Sequence, residues 1–203
     1  MLAFLLAACA AESIDAGLAG DISLPDIGET GSVEILSAHG LAQDGQLIAY
    51  LSSAPDVTCD QAVAHLTPGD NTDDPTAIFR DGHCNIFLSL QSWDAGFAAT
   101  DDPLAMAGMS ITCTLGAGDF VFEERDVGDE DYYWSGRYWQ GSADAYDIAF
   151  SDAEAGYGFE MDMTAFSGSL IYESLEEIAG EGAVSGVQAI EECADFSGLH
   201  AVY

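Results

Sequence analysis

The stretch Asp129–Gly141, DEDYYWSGRYWQG, gathers carboxylates, aromatic rings and a guanidinium within one short span. Ser135-Gly136 between two aromatic runs reads as a two-residue hairpin loop. That register pairs Trp134 with Arg137, Tyr133 with Tyr138, and Tyr132 with Trp139. Strand alternation then sets Tyr132, Trp134, Arg137 and Trp139 on one face. Such rings can stack on the apolar faces of sugars, while ionised Asp129, Glu130 and Asp131 can accept bonds from sugar hydroxyls. Arg137 over an indole would add a cation–π contact worth about 0.5–1 kcal/mol at an exposed position. The expected ligand surface is therefore Tyr132, Trp134, Arg137 and Trp139 with Asp129 and Asp131, and the expected ligand class is a glycan or a cation-bridged envelope component. Rings on a strand also fill cores, so the pattern has a purely structural reading beside the functional one.

Two acidic clusters offer calcium chemistry, which needs roughly six to eight oxygen ligands. One is Asp70, Asn71, Asp73 and Asp74; the other is Asp126, Asp129, Glu130 and Asp131. Neither follows the EF-hand loop, because Pro75 stands where a glycine is required after Asp70. Cys59, His65, His83 and Cys84 are of the types that hold zinc. His83 and Cys84 are chain neighbours, however, and on a strand they would point to opposite faces. Beyond Cys9, the four cysteines Cys59, Cys84, Cys113 and Cys193 form an even set. Two disulfides in an oxidising compartment are expected, with three connectivities possible. The pairing Cys59–Cys84 with Cys113–Cys193 is the favoured one, since it would pin a helix to the sheet.

Motifs for catalysis are missing: there is no G-x-S-x-G elbow, P-loop, dinucleotide fingerprint or H-E-x-x-H. A glycosidase needs two carboxylates at a set separation, so a hydrolase using an Asp/Glu pair stands as the second function class. His39 and His200 are isolated candidates for assisting one. A third class is a surface-assembly subunit that pairs through its sheet edges.

At the start of the chain, Leu6-Ala7-Ala8-Cys9 resembles a bacterial lipobox, a likeness that covers four residues. It implies that residues 1–8 are the remnant of a signal peptide, cleaved once the Cys9 thiol carries a diacylglycerol. The rest of the chain would then stand outside the cytoplasm, tied to the membrane by lipid. Ala10, rather than Asp, after the cysteine implies the outer membrane of a two-membrane bacterium. Residues 9–31 read as anchor and acidic tether, with one β-rich domain over 32–203. No run reaches the roughly 20 apolar residues of a membrane-spanning helix.

The elements that must position these groups are mostly strands. Leu47–Leu51 is a short apolar run preceded by Asp44-Gly45, a hairpin signal. Thr58 and Gln61 form a capping box for one short helix near 59–66, stopped by Thr67-Pro68-Gly69. Met109–Leu115 and Phe120–Glu124 suggest a second hairpin. Tyr157, Phe159, Met161 and Met163 alternate with Gly158, Glu160 and Asp162, a strand with one face buried. Turns recurring along the chain predict a mainly β fold, an antiparallel β-sandwich or alternatively a β-barrel.

Charge narrows the function. The 203 residues carry 36 acids against three arginines and no lysine, a net charge of −33. Phosphate contacts need clustered basic residues, so nucleic acid is excluded as a partner. Self-repulsion on this scale weakens the compact state. Salt shortens the screening length from about 8 Å at physiological strength to about 3 Å at 1 M. The melting temperature, followed by circular dichroism, should therefore rise continuously as sodium chloride is raised from low concentration to 1 M.

Overall fold

Alternating apolar positions drive most of the chain into strands. The computed structural model describes residues 17–43, 45–66, 83–91, 105–114, 120–124, 132–136, 138–151, 157–171 and 177–201. In chain order the strands are β1 (Ala19–Leu24), β2 (Glu29–Ser32), β3 (Ser37–Gln43), β4 (Gln46–Ser52), β5 (Cys84–Gln91), β6 (Ala105–Thr114), β7 (Phe120–Glu124), β8 (Tyr132–Gly136), β9 (Tyr138–Ser151), β10 (Tyr157–Ile171) and β11 (Gly180–Glu192). Helix α1 (Cys59–Leu66) lies between β4 and β5, and a 3₁₀ helix at Ala194–Ala201 follows β11. The expected mainly β, antiparallel architecture with a short helix at 59–66 is what the chain adopts.

Nine strands form one sheet in the order β10-β9-β6-β5-β4-β3-β11-β1-β2, and β10 also pairs with β11. The sheet thus returns on itself in a ring-like arrangement. Strand β11 makes this possible by serving three neighbours. Tyr157–Phe166 of β10 runs antiparallel along one of its edges, from Ile190 back to Gly180. On the other edge, β1 pairs antiparallel with Glu181–Ser185, and β3 pairs parallel at Glu191 and Glu192. In β10, Ala165 takes a left-handed φ of 58°, where the register against β11 shifts. The inward positions accordingly change parity, from Met161 and Met163 to Phe166 and Leu170. This is the bend that a β-bulge provides.

Two apolar clusters sandwich β4. Leu47, Ala49 and Leu51 join the main core with Ile86, Leu88, Ile111, Trp139, Met163 and Val184. Ile48 and Tyr50 face the other way, into a second cluster with Ala62, Cys193, Phe196 and Leu199. Helix α1 suits this outer face because Cys59, Ala62, Val63 and Leu66 fall at i, i+3, i+4 and i+7. Its capping box forms as the sequence predicts: the Gln61 N–H donates to Thr58 Oγ1 at 3.3 Å, and the Thr58 N–H to Gln61 Oε1 at 3.0 Å. A hairpin is also present at the expected place, with Gln43 opposite Gln46 and Gly45 at φ 78°; Asp44 itself lies outside the described residues. The hairpin's first strand is Ser37–Gln43.

Both pairs of cysteines form disulfides, in a connectivity other than the favoured one. Cys59 bonds Cys193, and Cys84 bonds Cys113. The second pair are directly opposed residues on β5 and β6. The Thr114 N–H donates to His83 O at 2.9 Å, which makes Cys84 and Cys113 a non-hydrogen-bonded pair, the site where side chains of neighbouring strands come closest. The first pair ties α1 to the entrance of the 3₁₀ helix. With separations of 134 and 29 residues, each is worth about 3–5 kcal/mol on the chain-entropy model.

The expected tether is folded from residue 17 onward. Leu18, Ile22 and Leu24 are buried in the core, because β1 fills the edge of β11 that β3 leaves vacant. Gly31 of β2 lies against the Cys84–Cys113 bridge, where a Cβ would fall 2.7 Å from the Cys84 Sγ.

The expected aromatic hairpin is not formed. β8 pairs with β7, placing Trp134 opposite Phe122 and Tyr132 opposite Glu124, while Tyr138 and Trp139 start β9 in the large sheet. The Phe120–Glu124 strand correspondingly pairs with β8, not with β6. Trp139 is 0% exposed. Its indole N–H donates to Ile178 O at 3.0 Å, and its ring lies over the paired Gly141 and Gly168, where a Cβ would approach Cζ2 to 2.5 and 2.6 Å. Trp139 is thus a core residue, removed from any sugar platform. Replacing Trp139 with Ala should cost about 3–5 kcal/mol, the range for buried aromatic truncation, measured by urea unfolding.

Candidate functional site

The outer face of β4, β5, β6 and β9 is covered by α1 over only part of its width, and a cavity of about 410 Å³ remains beside the helix. Tyr50 of β4, His65 of α1 and Phe87 of β5 supply rings; Asn85, Ser110, Thr112 and Gln140 supply amides and hydroxyls. No carboxylate is among the described residues lining it. In a chain where roughly one residue in six is acidic, this is a neutral patch. Gly108 and Met109 of β6 also line it.

Tyr50 sits at the centre of this chemistry. It is 1% exposed, and its hydroxyl has no hydrogen-bond partner among the described residues. Burial holds its pKa well above the usual phenol value, so the ring stays neutral. His65 meets Tyr50 edge-on, with ring centroids 5.4 Å apart and planes at 83°. Burial lowers the His65 pKa to about 4, so this imidazole too is uncharged at neutral pH. The Ser52 hydroxyl donates to Asn85 Oδ1, which orients the amide, and the Gln140 amide donates to Ser110 Oγ at 3.4 Å. The cavity therefore offers rings, hydroxyls and amides without net charge. It suits a small neutral ligand rich in hydrogen-bonding groups.

A second cleft, of about 540 Å³, opens at the seam between β3 and β11. His39 reaches it from β3 and Glu191 from β11, with Asp56 and Gln188 nearby. A Ser–His contact lies elsewhere: the Cys84 N–H donates to Ser53 Oγ at 2.8 Å, and that oxygen is 3.0 Å from His83 Nδ1. The spacing is that of a nucleophile and its base. Ser53 is buried, however, and lines neither cavity, so the contact secures the β4–β5 corner instead. The Tyr50 cavity offers the hydrolase alternative no carboxylate among its described lining residues, whereas Asp56 and Glu191 both line the seam cleft.

Most residues singled out by sequence fall outside these sites. Cys9, Asp70, Asp73, Asp74, Asp129, Asp131 and Arg137 lie outside the described residues. Tyr132 and Trp134 are placed by backbone pairing alone, on β8. Cys59 and Cys84 belong to different disulfides, which removes both thiolates from the zinc set with His65 and His83. Cys59, Asp60 and Asp195 bring donor atoms within 4.8 Å of one another, but there too the sulfur is consumed. No sequence motif joins Tyr50 to His65, which the fold brings ring to ring. The signal was Leu47–Leu51, apolar throughout rather than alternating, which marks a strand covered on both faces.

His65 makes stability depend on pH with a defined sign. Its folded pKa lies below the ordinary value of 6.5, so the unfolded chain binds this proton first. The contribution is complete above pH 6.5 and is lost as pH falls towards 4, by about 3 kcal/mol at most. His65→Phe should cancel it: the unfolding free energy of the variant, relative to wild type, should rise by that order between pH 7 and pH 4 in urea titrations. No protein-family model, curated protein or solved structure matches the chain.

Proposed function

We propose that this chain is an exported binding module, held at the membrane by lipid on Cys9, that takes a neutral glycan in the cavity beside α1. Export is supported by the two disulfides, which persist in oxidising compartments, and by the lipobox-like Leu6–Cys9. The glycan reading rests on the described lining, which is rings, hydroxyls and amides with no acid among them, in a chain otherwise crowded with carboxylates. Anionic ligands are disfavoured by a net charge of −33. A neutral sugar meets no such barrier, and its hydroxyls can partner both amides and the Tyr50 phenol.

The observation that carries this reading is the buried hydroxyl of Tyr50, a residue that lines the cavity, without a hydrogen-bond partner among the described residues. An unsatisfied buried hydroxyl costs about 1–3 kcal/mol. Function explains its retention where stability does not. Tyr50→Phe should therefore raise the unfolding free energy of the ligand-free protein by that order while weakening sugar binding. Gln140→Ala, at an exposed rim position, should weaken binding without changing stability. Calorimetric titration with neutral mono- and disaccharides checks both, and a panel in which none binds, or in which Tyr50→Phe binds as wild type does, sinks the proposal.

A further inference from the structure

We infer that the seam between β3 and β11 holds a transition-metal dication on His39 Nδ1 and Glu191, a site independent of the sugar cavity. Three observations converge on it. His39 is 7% exposed, and its Nε2 lies 2.6 Å from Val57 O. A carbonyl oxygen only accepts, so Nε2 carries the proton, and in the neutral ring Nδ1 presents a lone pair. That Nδ1 is buried and has no hydrogen-bond partner among the described residues, and His39 lines the cleft. Finally, Glu191 Oε2 stands 3.8 Å from it, too far for a hydrogen bond.

The spacing and the orientation suit a metal. Zinc bonds of about 2.0–2.2 Å to nitrogen and oxygen, at a tetrahedral angle, set the donors roughly 3.4 Å apart. The Glu191 side chain is 79% exposed and can close that difference by a small rotation. His39 and Glu191 are direct partners in the parallel register, so the backbone delivers both to one place. The bond from Nε2 to Val57 O is the support that metal-ligating imidazoles usually have, fixing tautomer and ring plane. Val57 is itself anchored to β3, its N–H donating to Ser37 Oγ at 3.2 Å. Water fills the remaining coordination positions from the cleft. An imidazole donor selects zinc, copper or nickel over calcium and magnesium, and the acidic surface concentrates cations around the mouth.

The test is calorimetric titration of the full chain with zinc chloride, in excess magnesium to occupy exposed carboxylates, with melting curves run alongside. One zinc per chain and a raised melting temperature are expected. Glu191→Gln, a change on an exposed side chain, should weaken zinc by at least about tenfold, and His39→Gln should abolish the step. Copper-loaded wild type should show nitrogen hyperfine coupling in its EPR spectrum that His39→Gln lacks. Tyr50→Phe should bind zinc as wild type does, which separates this site from the sugar cavity. Absence of a saturable zinc step above the magnesium background, or equal affinity in wild type and Glu191→Gln, overturns the inference.

Discussion

The architecture depends on one strand having more partners than its two edges ordinarily allow. β11 is matched by β10 along one side, while β1 and β3 divide the other between them. Closure of this kind removes the exposed hydrogen-bonding edges that an open sheet must otherwise protect. It also sets where the molecule is hollow. β3 touches β11 over two residues only, so the wall parts beyond them and leaves the seam cleft with His39 and Glu191 at its side. The other cavity has a different origin, in a helix of eight residues too short to cover the outer face of four strands.

Electrostatics then differentiates the two hollows. Acidic residues crowd the surface, and the folded state carries their mutual repulsion. The main core is apolar and closed by Trp139, and the disulfides add resistance to unfolding that scarcely depends on ionic strength. Against this background the Tyr50 cavity is uncharged in every described group that lines it, with His65 kept neutral by burial. The seam is the reverse, a place where carboxylates come beside a histidine. A neutral ligand and a cation would thus be sorted by polarity before any shape is read.

Local signals in the sequence translated directly into structure. The Thr58 and Gln61 cap, the hairpin that turns at Gly45 and the alternating Met161 and Met163 each depend on a few neighbouring residues, and each is present in the fold. Long-range pairing did not translate. Cysteine order leaves three connectivities open, and only the strand register, which opposes Cys84 to Cys113, decides among them. The aromatic stretch misled for a related reason. Ser135-Gly136 fits a tight turn, yet Trp139 finds Gly141 on its own strand, Gly168 on β10 and the Ile178 carbonyl before β11, contacts that reward burial more than a local hairpin would. The left-handed Ala165 was equally illegible, since an alanine gives no hint of the bend it makes.

The meeting of one indole with Gly141 and Gly168 constrains how this protein can diverge. Any side chain at either glycine would intrude on the ring, and two strand backbones leave no room for it to retreat. These positions are therefore epistatic: neither can drift while the tryptophan remains, and losing the tryptophan first exposes a void. Descendants keep all three together or pass through an intermediate poorer than both endpoints, so the trio should be inherited as a single unit.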